Sequence, residues 1–183
     1  GLAAAVARMA GAEVGAFSNH TDPDMDLSAF GLSDVAAKTG DLGACDSHFD
    51  LVISTSNLWD DWTLALRLAR SGGTVAVLGF PGRGQAGPTM NPLDSALFYD
   101  KQLTLKACGQ SPNRDVPKHE IRFTLKRNCA FLLRAIQQHR LPATALIQGL
   151  LPADDLPQAY HRLRHERTGG RTFVLDWSAQ PSA

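Results

Sequence analysis

The run Phe49-Asp50-Leu51-Val52-Ile53-Ser54-Thr55 constrains this chain more than any other feature. It is apolar without the alternation of a half-exposed strand, which is how a strand covered on both faces of a parallel sheet reads. A helical pattern over 60–70 follows. Trp62, Leu66 and Ala69 share one face there, and Asp60 and Asp61 occupy the first turn, where the helix dipole favours acids. Ser71-Gly72-Gly73 interrupts the pattern, and a second apolar run, Thr74 to Phe80, begins. Strand, helix and strand in this order call for a crossover and a parallel sheet.

The alternation extends both ways. Gly1 to Ala10 reads as a small-residue helix closed by Gly11, and Glu13 to Phe17 as a short strand too apolar for an edge. Ser18 to Asp26 is a polar loop, Leu27 to Leu32 a helical turn, and Ser33 to Lys38 a further short strand. Pro81 to Pro92 is a turn-rich loop, Leu93 to Asp100 a helix and Gln102 to Ala107 a strand. Ile121 to His139 has the period of a long amphipathic helix, with Leu125, Leu132, Leu133 and Ile136 on its buried stripe. Ala145 to Leu151 is extended. Asp154 to Arg167 is a helix with Pro157 in its first turn, and Arg171 to Trp177 is a closing strand. The expected fold class is α/β: a Rossmann-type doubly wound parallel sheet, truncated at its N-terminal strand.

Bulk composition excludes several functions. Eighteen Lys and Arg balance eighteen Asp and Glu, so no net field draws nucleic acid or an anionic membrane. No apolar run is long enough to span a bilayer, and a signal peptide is not expected. Cys45, Cys108 and Cys129 are odd in number and widely spaced, which gives no disulfide framework or metal pair and suits a reducing cytoplasm. His161 and His165 share a helical face, but Arg162, Arg164 and Arg167 crowd it, so no metal is expected. No G-x-S-x-G motif accompanies Ser54-Thr55-Ser56.

The order of several segments resembles the medium-chain dehydrogenase/reductase family, the zinc alcohol dehydrogenase-like group. They are Gly1 to Ala7 with Gly11-Ala12-Glu13-Val14, Phe49 to Ile53, and Leu66 to Gly79. Asp100 to Ala107, Leu151 to Tyr160 and Gly170 to Asp176 continue the likeness. The resemblance implies a cofactor-binding part of an NAD(P)-dependent alcohol or carbonyl oxidoreductase, inactive alone. It implies an NAD(P)-binding Rossmann-like domain over 1–147, a return segment over 148–178 that packs on a catalytic domain, and a tail over 179–183. The zinc ligands, the first sheet strand and most of the glycine fingerprint would lie outside this chain.

The expected cofactor contacts follow from the positions of strand and helix ends. Helix N-termini hold phosphate on outward-pointing amides, which points to Gly1 and Leu2. The second strand ends in Ser18-Asn19 with no acid to bond an adenosine ribose, which leans to NADP over NAD. No Lys or Arg follows, and Asp22 and Asp24 would oppose a 2′-phosphate. Open parallel sheets bind ligands beyond the carboxyl ends of their strands: here Ser54 and Thr55, Gly79 and Phe80, and Gly109. In related dehydrogenases a basic residue at the position of Arg171 reaches the pyrophosphate. No residue of this chain is expected to be catalytic. The intact enzyme would take a small alcohol or carbonyl substrate, and an open sheet edge would support a homo-oligomer. Two other readings remain: a non-catalytic interaction module derived from such an enzyme, and a methyltransferase-like nucleotide enzyme, against which Ser18 speaks.

Overall fold

A computed structural model describes residues 1–19, 25–39, 41–82, 86–165 and 171–178. The chain divides into two compact units, Gly1–Ala37 with Lys126–Ala183, and Lys38–Leu125.

The second unit holds a three-stranded parallel sheet, β1 (Phe49–Ser54), β2 (Ala69–Val77) and β3 (Thr104–Ala107), in the order β1-β2-β3. The helix α2 (Trp59–Leu68) connects β1 to β2. It lays Trp62, Ala65 and Leu66 on the sheet face that carries Val75 and Val77, with Val52 and Leu105 packed beside them. Leu66 has no exposed surface, and Val75 is 1% exposed. The end of α2 needs no glycine cap. The incoming chain donates the amides of Ser47 and His48 to the carbonyls of Arg67 and Leu68, at 2.8 and 3.0 Å. The Lys101 ammonium donates to those of Leu66 and Arg67, at 2.7 and 3.0 Å. Burial depresses the Lys101 pKa, yet the carbonyl end of the helix dipole is where a cation is best placed.

Sequence and structure part company at β1. The apolar run is a strand, as expected, but an edge one: among the described residues only β2 pairs with it, and Leu51 and Ile53 are 51% and 37% exposed. The residue pattern of a doubly covered strand is present, while among the described residues one side of β1 has no strand neighbour. Beyond β2, the helix expected at 93–100 is one π-helical turn, Ser95–Tyr99, started by the Asp94 carboxylate accepting from the amides of Ala96 and Leu97. Gln102 then takes a left-handed φ of 52° before β3.

In the first unit, α1 (Leu2–Met9) ends at Ala10, and Gly11 adopts φ 88°, the left-handed step expected of it. The strands expected at 13–17 and 33–38 reduce to one parallel bridge, Phe17 with Ala36, because a short run forms a ladder only where its neighbour is equally extended. Ser28–Phe30 is a single 3₁₀ turn. The helix α3 (Leu125–Gln137) begins at the unit boundary and is shorter than expected. Its stripe of Leu125, Leu132, Leu133 and Ile136 is exposed rather than buried, and Ala135 is its buried residue. The closing segment is a two-stranded parallel sheet, β4 (Ile147–Pro152) and β5 (Thr172–Asp176), joined through α4 (Leu156–His165). The remainder of the expected helix, Glu166 and Arg167, lies outside the described residues.

Truncating Leu66 to Ala removes most of a large side chain with no exposed surface from this core. It is expected to cost about 2–5 kcal/mol, read as a lower urea midpoint at unchanged slope.

Candidate functional site

Register brings the three strand tips of the second unit into one row. Ser54 pairs with Val77, and Val77 pairs with Ala107. The segments leaving these positions carry Ser54-Thr55, Gly79-Phe80 and Gly109, five of the residues singled out from the sequence. The tips are tied together by backbone bonds. The Ser54 carbonyl accepts from the amides of Leu78 and Gly79, at 2.9 and 3.2 Å, and the Cys108 amide donates to the Val77 carbonyl at 2.8 Å.

Glycine at 79 is required by this closure. A Cβ there would lie 2.5 Å from the Ser56 carbonyl oxygen and 2.6 Å from that of Thr55. At Gly109 a Cβ would meet nothing within 4 Å, so the end of β3 opens on free space. Thr55 and Phe80 are exposed.

The segment after β1 has a second anchor that the sequence did not reveal. Asp61, in the first turn of α2, holds the Lys38 ammonium at 2.7 Å and accepts from the Ser56 hydroxyl. The Ser56 hydroxyl oxygen in turn accepts the Leu58 amide at 3.1 Å. Burial pushes the Asp61 pKa up. The hydrogen bonds from Lys38 and Ser56, with the Lys38 charge, outweigh it and hold the carboxyl below its ordinary value. Lys38 and Asp61 are far apart in sequence, and no local motif marks them.

Trp59 opens α2. Its indole N–H is buried without a hydrogen-bond partner among the described residues and lies beside Gly82, whose φ of 92° turns the chain after β2. Trp62, edge-on to it at 6.1 Å, donates instead to the Pro92 carbonyl at 2.8 Å.

The other expected contacts lie in the first unit. Gly1 caps α1 with no side-chain bond to the helix amides, and no acid stands in the first turn, so these donors fit an anion. Leu2 is exposed. Ser18 donates its amide to the Ala36 carbonyl at 2.9 Å, and Asn19 follows it. Asp22 and Asp24 lie outside the described residues. Arg171 precedes β5 and is half-buried. His161 and His165 lie on α4 with ring centroids 4.6 Å apart and planes tilted by 38°. Among the described residues no group of three or more His, Cys, Asp or Glu could hold a metal ion, and no helix is long and apolar enough to cross a membrane.

This is a partial Rossmann-type sheet, and known structures share it. No family model and no curated protein matches the sequence. Solved structures do. L-idonate 5-dehydrogenase from Escherichia coli aligns over 96% of this chain and 46% of its own, at TM-score 0.66 and 18% identity. Benzyl alcohol dehydrogenase from Acinetobacter calcoaceticus aligns over 92% and 45%, at TM-score 0.65 and 18% identity. An NAD-dependent alcohol dehydrogenase aligns over 95% and 46%, at TM-score 0.61 and 19% identity. The chain thus spans less than half the length of each of the three. The resemblance to the medium-chain dehydrogenases is borne out as a likeness of fold.

Two substitutions test the tip geometry. Gly79→Ala is expected to destabilise by about 1–3 kcal/mol in a melt, because the backbone oxygens it meets cannot move aside. Asp61→Asn is expected to destabilise by about 1–2 kcal/mol at pH 7. The Asp61 pKa is depressed on folding, so its contribution is present above the unfolded carboxyl value and lost as pH falls through the folded one. The gap between wild type and Asp61→Asn, followed by urea titration, should therefore close in acid.

Proposed function

We propose that this chain is the cofactor-binding half of an NAD(P)-dependent alcohol or carbonyl oxidoreductase of the medium-chain dehydrogenase type, without turnover of its own. The observation that carries the reading is the row of parallel strand tips at Ser54, Val77 and Ala107, closed by Gly79 and open at Gly109. Ligands of open α/β sheets bind at such carboxyl ends.

In this reading, Ser54, Thr55, Gly79, Phe80 and Gly109 line the nicotinamide end. The uncapped amides of α1 at Gly1 and Leu2 take a phosphate, with Arg171 as a further phosphate contact. Ser18 and Asn19 stand at the adenosine ribose, and the missing acid favours NADP over NAD. A bound nicotinamide supplies the hydride donor or acceptor. The chain's residues orient it: Phe80 offers an apolar surface, and the Asp61 clamp fixes the β1 tip. Zinc and the proton-transferring groups belong to a catalytic part outside these residues. The cytoplasm is the proposed location, where the free thiols stay reduced. The open edge of β3 is the proposed surface for a homo-oligomer.

NADPH and NADH are each expected to raise the melting temperature, NADPH more. At tenfold excess over Kd, one site contributes about 1.4 kcal/mol, or roughly 3–6 °C. The chain is expected to show no zinc-dependent alcohol oxidation. Absence of any shift with either nucleotide would favour a non-catalytic interaction module.

A further inference from the structure

The first unit carries a groove at the far end of α1 from Gly1, about 10 Å along the helix axis from Leu2 to Met9. It is a shallow, open depression of about 470 Å³ lined by Ala5, Arg8 and Met9, by Ser28 to Gly31, and by Arg140 and Pro142, and both arginines are exposed at its rim. Its floor is apolar and packed: Ala5 and Phe30 are buried. Among the described residues neither the Arg8 nor the Arg140 guanidinium has an ion-pair or hydrogen-bond partner. This differs from Arg67 and Arg70, which are engaged with Asp46 and Asp50.

The walls are fixed independently of one another. Arg8 lies in the last turn of α1, where a cation complements the helix dipole. Its stem lies against Gly31, in the space a Cβ there would take, and Gly31 holds a left-handed φ of 69°. Glycine at 31 therefore both permits the turn and seats the arginine. The Ser28–Phe30 turn is held by Asp26, whose Oδ1 accepts from the Ser28 amide and hydroxyl and from the Ala29 amide. That carboxylate is the acid nearest the groove in sequence, and these bonds turn it into its own loop. Arg140 follows α3. Its amide donates to the Ala135 carbonyl at 2.8 Å after His139 adopts φ 54°, and Leu141 behind it is buried.

We propose that this groove is a binding site for a small molecule bearing two adjacent anionic groups, phosphate or carboxylate. Each guanidinium presents a planar fork of donors that matches one such group. Two arginines without an acidic partner on one depression also place positive charge locally in a chain of zero net charge. The site does not depend on the proposed function, since none of its residues is a cofactor contact.

The test uses the whole chain with inorganic pyrophosphate and, separately, citrate. Sodium chloride of equal ionic strength is the control. Binding is read by melting temperature and by the NMR signals of the Arg8 and Arg140 Nε–H groups. Saturable binding of either anion, weakened about tenfold or more by Arg8→Gln and by Arg140→Gln, supports the site. The two arms tell phosphate from carboxylate. Arg8→Lys keeps the charge without the fork and should bind at an intermediate level. Arg140 sits outside α1, so Arg140→Gln reports even if Arg8→Gln impairs folding. No saturable binding of either anion, a response reproduced by sodium chloride, or binding unchanged in Arg140→Gln would overturn the proposal.

Discussion

The pairing of β2 with β1 on one side and β3 on the other is the constraint from which the rest of the second unit follows. Val75 faces Val52 and Leu105 across the ladder, and Val77 faces Ser54 and Ala107. Because all three strands run the same way, one register sets both the packed face under α2 and the position of every tip. A slip of one residue would turn Val75 and Val77 away from Trp62 and Leu66. Burial on one face thereby specifies the geometry of the open end, where the candidate site lies.

The tip itself depends on polar closure as well as on packing. Gly79 lets the chain after β2 lie against the carbonyls of Thr55 and Ser56, and Asp61 pins Ser56 from the start of α2. A helix that begins at a strand tip thus anchors that tip through its first turn. Lys38 completes the anchor, and its hydrogen bond, with that of Ser56 and the Lys38 charge, keeps the Asp61 carboxylate ionised where partial burial opposes it. Rigid strand ends followed by a short fixed segment are what a positioned cofactor ring needs, since a loosely held cradle loses affinity to the ordering of its own loops.

How much was legible follows from whether a feature is local. β1 and β2 were visible because their apolar runs are continuous, and α2 because Trp62 and Leu66 recur at helical spacing. The strands expected near Phe17 and Ala36 were not recoverable, since a ladder depends on a neighbour that pattern alone does not supply. The same gap explains α3: periodicity announces an apolar face at Leu132 and Ile136 without saying what covers it. β1 is the sharpest case, with the composition of an interior strand and the position of an edge one. In the site, Gly79 and Gly109 stood out as glycines at strand ends, although the reason for Gly79 is the adjoining loop. The links from Lys38 to Asp61 and from Arg8 to the Arg140 groove join residues distant in sequence and leave no local trace.

The most direct measurement is a backbone amide NMR titration of the isotope-labelled chain with NADPH. The account predicts saturable shifts at Ser54 and Thr55, at Gly79 and Phe80, and at Cys108 and Gly109, where the parallel strands end. Shifts confined to the other ends of the same strands, at Phe49, Ala69 and Thr104, or no saturable shift at the tips, would contradict it.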